Sequence, residues 1–209
     1  VYAQTSSGQD MFVRGGIDHA WALSSLGRTC TAENKLCALG QNVGNRLNNY
    51  TASWETGDNF MDWYGRETGQ GAGAEGTPFE WTTNNAAHWD SKNDRNGVAP
   101  TGYLDSGFGY YAANTFGPHY WLYDVTLDCA NAVQVTGSNG TKLKLFEFKA
   151  YVKNGAGWES NIDTNTFTVN GESFTVYNTS SNNHYAVCGK LTKASFSSNA
   201  MDVYSLPAQ

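Results

Sequence analysis

Basic residues are scarce in this chain: 13 Lys and Arg stand against 19 Asp and Glu, a formal net charge of -6 with a pI near 5.1. Nucleic-acid binding needs a basic patch that releases counterions from phosphates, and no basic run exists to supply one. Long apolar runs are missing too. No stretch approaches the roughly 18 to 20 consecutive apolar residues of a spanning helix, so no membrane span is expected. The charged and apolar blocks of a secretory leader are also missing, which implies that any such segment has been removed. Charged residues of both signs reach only 15%, while aromatics make up 14% and glycines number 23. That is the profile of a folded extracellular β protein rather than of a disordered or coiled chain.

Signatures of metal and nucleophile chemistry are lacking as well. His19, His88, His119 and His184 show no H-E-x-x-H spacing, and no G-x-S-x-G elbow occurs. The segment DSKNDRNG, residues 90–97, has Lys92 where a calcium loop needs an oxygen ligand and no glutamate to close it, so it reads as a polar turn. GQGAGAEG, residues 69–76, has no lysine to hold a phosphate and reads as a connection. Neither a metal nor a cofactor is expected. A glycosidase needs two carboxylates across one bond. Glu55, Asp58, Asp62 and Glu67 lie close together in sequence, which does not establish that arrangement, and catalysis is not expected.

What is present begins with four cysteines, Cys30, Cys37, Cys129 and Cys188, none in a C-x-x-C pair. An even count at long spacings indicates two disulfides in an oxidising compartment, hence secretion. The simplest pairing is Cys30 with Cys37 and Cys129 with Cys188, although sequence alone leaves the connectivity open. Three Asn-x-Ser/Thr matches, at Asn49, Asn139 and Asn178, carry little weight in a chain so rich in these residues.

The chain is organised around LKLFEFKAYVKNGAGWESNI, residues 143–162. Period-two reading puts Phe146, Phe148, Ala150 and Val152 on a core face, and Leu145, Glu147, Lys149, Tyr151 and Lys153 on a face for water or a ligand. Asn154-Gly155 should stop the strand, and Gly157 should present Trp158 partly exposed. Other strands are expected at MFVRGG, where two glycines end the strand after Arg14, and at HYWLYDVTLDC, YAVCGKL and MDVYSL. TFTVNGESFTVY reads as a hairpin turning at Asn170-Gly171. These runs indicate an all-β protein, an antiparallel Ig-like β-sandwich formed by residues 11–28 and 119–209 within a single domain. Residues 29–118 lose the alternation and read as a large irregular insertion, with a small core around Trp54, Phe60, Trp63, Phe79, Trp81 and Trp89.

MFVRGGIDHAW, YWLYDVTL, LFEFKAYVKNGAGWE and Asn182-Asn183 occur in the order found in Ig-like starch- and glycogen-binding modules, and the chain resembles that family over less than half its length. The resemblance implies one α-glucan site formed by Trp21, Lys149, Trp158 and Asn183, and Tyr151 joins it as the outward neighbour of Lys149. Asp18-His19-Ala20 replaces the family's asparagine before the first tryptophan, and about ninety residues are inserted where the family has a short connection. The expected partner is therefore a polysaccharide. The alternative is a self-assembling surface or filament subunit, whose polar N-terminal arm and aromatic insertion would contact neighbouring copies.

Overall fold

The computed structural model describes residues 1–42, 59–64, 76–81, 104–105, 110–111, 116–123 and 125–206. The fold is all-β. Its strands are β1 (Asp10–Gly16), β2 (Leu39–Asn42), β3 (Phe60–Met61), β4 (Thr77–Pro78), β5 (Glu80–Trp81), β6 (Leu104–Asp105), β7 (Tyr110–Tyr111), β8 (Trp121–Leu122) and β9 (Thr126–Leu127), followed by β10 (Val133–Thr136), β11 (Lys142–Lys153), β12 (Gly157–Trp158), β13 (Thr166–Val169), β14 (Glu172–Thr175), β15 (His184–Val187), β16 (Lys190–Ala194) and β17 (Met201–Ser205). One helix, α1 (His19–Leu26), follows β1.

The twelve-residue β11 is bonded antiparallel to four strands, β1, β10, β12 and β15, with registers such as Val13 opposite Ala150 and Glu147 opposite Tyr185. Phe146, Phe148, Ala150 and Val152 join Met11, Val13, Ile17, Leu39, Met61, Phe79 and Trp121 in one core. On the other face, Leu145 packs with Val135, Phe167, Val169, Phe174, Tyr185, Val187 and Val203 in a second. Burying each such side chain is worth about 1.5–3 kcal/mol. The expectation that this second face would meet water therefore fails at Leu145 and Glu147, both fully buried. The β13–β14 and β16–β17 hairpins supply the cover over Leu145 and the 178–183 segment engages Glu147, which strand periodicity alone cannot announce.

The first strand also runs further than expected, through both glycines. Gly15 lies so close to β11 that a Cβ there would collide with the Glu147 carbonyl oxygen, and one at Gly16 would meet that of Cys37. The glycines permit close approach rather than ending the strand. HYWLYDVTLDC is likewise not one strand. Its first half pairs with β5 and its second with β2, so it changes partners within a few residues.

Parts of residues 29–118 join the same framework: β4 pairs with β1, and Phe79 belongs to the core of Met11 rather than to a separate one, while β6 and β7 pair with each other. Trp54 and Trp89 lie outside the described residues, as do Glu55, Asp58, Glu67, residues 90–97 and Asn49. Asp62 is buried 4.0 Å from the Arg14 guanidinium, and Arg14 also donates to the Tyr64 carbonyl. The disulfides join Cys30 to Cys37 and Cys129 to Cys188, and no cysteine is free. Asn170 (φ 51°) and Gly171 (φ 82°) form the expected hairpin turn, both with positive φ.

Two glycine substitutions separate close approach from backbone strain. Gly15→Ala is expected to cost about 3 kcal/mol through overpacking. Gly171→Ala, with open space around it, should cost about 1 kcal/mol for its left-handed backbone alone. Urea denaturation of the two variants checks the order, and equal losses would mean that β1 does not approach β11 as described.

Candidate functional site

Residues 147 to 151 of β11 carry two adjoining groups of polar and aromatic side chains. The first is centred on the buried Glu147 carboxylate. The Ser181 hydroxyl donates to its Oε2 at 2.6 Å, and Asn183 Nδ2 donates to the same oxygen at 2.8 Å. Asn178 Nδ2 reaches Oε1 at a long 3.5 Å. Desolvation by burial is the main effect on Glu147 and pushes its pKa above the ordinary carboxylate range, while the Ser181 and Asn183 donors pull it down. The negative charge of Asp18 adds to the upward shift.

Asp18 sits there because it caps α1, its Oδ1 accepting from Trp21 N at 2.7 Å, and Gly27 ends the helix at φ 65°. Trp21 thus lies on a helix, half-buried, with its ring 4.5 Å from that of Tyr177. Tyr177 in turn meets Tyr185 at 5.3 Å, and the Tyr185 hydroxyl donates to the Asn178 carbonyl. Burial next to Glu147 raises the pKa of both tyrosines, so neither ionises near neutral pH.

The second group lies two residues further along the same face. Lys149 Nζ donates to Asn161 Oδ1 at 3.1 Å, and this hydrogen bond is solvent-exposed. Tyr151 is paired with Trp158 across β11 and β12, so the two rings share a face and meet edge-on at 5.1 Å. Asn154 (φ 57°) and Gly157 (φ 73°) make the turn between them, as the sequence suggests. Trp158 remains 47% exposed.

On the opposite side of this strand pair, Glu159 is buried. It accepts from Ala150 N at 2.8 Å and Ser197 N at 3.1 Å, and its Oε2 lies 3.0 Å from His184 Nε2. These bonds fix the chain immediately after Trp158 against β11, β15 and the 195–198 turn. The indole is therefore displayed on an anchored segment.

Of the residues expected at one site, Lys149, Tyr151 and Trp158 come together, while Trp21 and Asn183 gather around Tyr177 and Glu147. Sequence reading missed Asn161, which engages Lys149, and Glu147 as the centre of a buried network. A glutamate flanked by Phe146 and Phe148 in the middle of the longest strand was the available signal. Among the described residues no group of three or more His, Cys, Asp or Glu could hold a metal ion. No described helix is long and apolar enough to cross a membrane. Comparison with protein-family models, curated proteins and solved structures returns no match to this chain.

A carboxyl whose pKa is higher folded than unfolded binds its proton more readily in the folded state. Its stabilising contribution is complete below the ordinary glutamate range, near pH ~4.3, and is lost as pH rises toward the folded value. Thermal melts of wild type and Glu147→Gln between pH 4 and 8 should show the wild type losing ground to the variant as pH increases. A difference constant across that range would show that Glu147 does not titrate with folding.

Proposed function

We propose that this chain is a secreted, non-catalytic carbohydrate-binding protein with an Ig-like sandwich framework, and that its ligand is a polysaccharide of the α-glucan type. The observation that carries this reading is the display of Trp158, 47% exposed, edge-on to Tyr151 on a segment anchored by Glu159. A sugar ring presents C–H faces that stack on an indole and hydroxyls that need fixed donors and acceptors. The exposed Lys149–Asn161 pair, on the same strand face as Tyr151, supplies an ammonium donor and an amide within one hydrogen bond of each other.

The resemblance to starch-binding modules points to the same lysine and tryptophan. In this reading Trp21 and Asn183 act as supports. The Asn183 amide is engaged by Glu147 and the Trp21 ring by Tyr177, so together they fix the 177–183 loop beside β11. The two disulfides are compatible with an oxidising, extracellular setting. Self-assembly through the N-terminal arm draws no comparable support. The backbone of Val1, Tyr2 and Ala3 is hydrogen-bonded to Trp121, Ala194, Phe196 and His119 of its own chain.

Native gels containing amylose or glycogen test the reading. Trp158→Ala should weaken binding by about 1–3 kcal/mol, the usual cost of losing an aromatic anchor. It should leave the melting temperature almost unchanged, because the indole is half in solvent. Lys149→Ala should weaken binding without unfolding. A Trp158→Ala protein that melts much earlier yet is retarded like wild type would defeat the proposal.

A further inference from the structure

A row of aromatic rings lies outside the Trp158 site. It runs His119, Tyr2, Tyr120, Phe116, Tyr204, with successive centroids 6.2, 5.4, 5.6 and 5.5 Å apart. Three distant parts of the chain build it. Tyr2 is bridged antiparallel to Tyr120 and parallel to Ser195, its N–H donating to Ala194 O at 2.8 Å and its carbonyl accepting from Phe196 N at 2.9 Å. Residues 1–3 are thereby stitched between the 119–121 segment and the end of β16. Tyr204 comes from β17, opposite Leu191 in the β16–β17 hairpin, on the face that also carries Lys193 and Asp202.

Tyr2, Phe116 and Tyr204 are 37%, 37% and 38% exposed, a large aromatic surface left to solvent in one place. Lys193 completes it. Its Nζ is 2.7 Å from Asp202 Oδ2, 3.4 Å from the Tyr204 hydroxyl, and 5.3 and 5.8 Å from the centres of the Phe116 and Tyr204 rings. The ammonium is thus fixed at the level of the rings and neutralised by a carboxylate. That arrangement favours neither a polyanion nor a polycation. Four of the five rings carry a polar N–H or O–H edge, so apolar faces and hydrogen-bonding groups are interleaved along the row, which suits a neutral polyhydroxylated ligand. The row offers three exposed rings, Tyr2, Phe116 and Tyr204, more than a single sugar can stack on.

We infer that this row is a second carbohydrate-binding surface, which takes consecutive units of a neutral polysaccharide by stacking them on the exposed Tyr2, Phe116 and Tyr204, with Tyr120 packed between Tyr2 and Phe116 and with Lys193 and Asp202 meeting the sugar hydroxyls. The inference rests on the reading of the protein as a polysaccharide binder. It adds that the ligand is a long chain held at two places rather than a short oligosaccharide held at one. The two places flank a single turn: Ser197 Oγ accepts from Ser160 N, two residues past Trp158, while Phe196 N donates to Tyr2. Joining two weak contacts through one ligand raises its overall affinity without any new interaction.

The test compares wild type, Tyr204→Ala, Lys193→Ala and Trp158→Ala in native gels with amylose, glycogen, a β-glucan or a xylan, and by calorimetry with maltotriose. Melting temperatures confirm that each variant is folded. Tyr204→Ala is expected to weaken amylose binding about tenfold, with a smaller loss for Lys193→Ala, and both should leave maltotriose binding unchanged. Trp158→Ala should weaken both ligands. Row variants that bind amylose like wild type, while Trp158→Ala does not, overturn the second surface and leave the first site standing. Loss in the row variants alone keeps the row and removes Trp158 from the site. Wild type that binds none of the four polysaccharides overturns both. A concentration-dependent dimer abolished by Tyr204→Ala would make the row an interface between copies and overturn the inference.

Discussion

The burial of both faces of β11 over Leu145 to Phe148 is the constraint on which the rest of the structure depends. A strand with one wet face can tolerate a charge there, but Glu147 is fully buried and must be satisfied from within the protein. Ser181 and Asn183 meet that need, and in doing so they fix the loop between β14 and β15 against the sheet. Asp18, required to cap α1, adds a second negative charge nearby. The helix, the loop and the central strand are thus coupled through one carboxylate, and the display of Lys149 and Tyr151 two and four residues further on depends on that register being held.

Local chemistry was legible in the sequence. Asn170-Gly171 needs only its own backbone preference to make a hairpin turn, and Asn154 with Gly157 likewise sets the turn before Trp158. The even-numbered face of β11 could be read because it is apolar from Phe146 to Val152. Its odd-numbered face could not, since Leu145 and Glu147 look amphipathic until segments far along the chain meet them, the β13–β14 and β16–β17 hairpins at Leu145 and residues 178–183 at Glu147. Gly15 and Gly16 misled for a related reason. Glycine marks both an end and a close approach, and only the position of the Glu147 carbonyl distinguishes the two.

The candidate site was half legible. Lys149, Tyr151 and Trp158 follow from strand alternation and one turn, which are local. Trp21 and Asn183 are reached only through tertiary contacts, and those contacts engage them with Tyr177 and Glu147. Tyr2 lies in no periodic run, and the strand expected at MDVYSL does not say what Tyr204 meets. Their proximity arises from the bridges that residues 1–3 make to segments near 120 and 195.

The pairing of β1 with β11 also bears on how the chain reaches its folded form. Gly16 meets Glu147 across about 130 residues, whereas β10 and β11 are joined by a turn a few residues long. Closing the longer loop costs about 3 kcal/mol more in chain entropy, a difference that grows only logarithmically with the length of the intervening segment. The segment between residues 29 and 118 can therefore be large at little cost in stability. Its cost falls instead on time, because a strand pairing so remote in sequence raises the contact order of the whole domain and slows the search for the native topology.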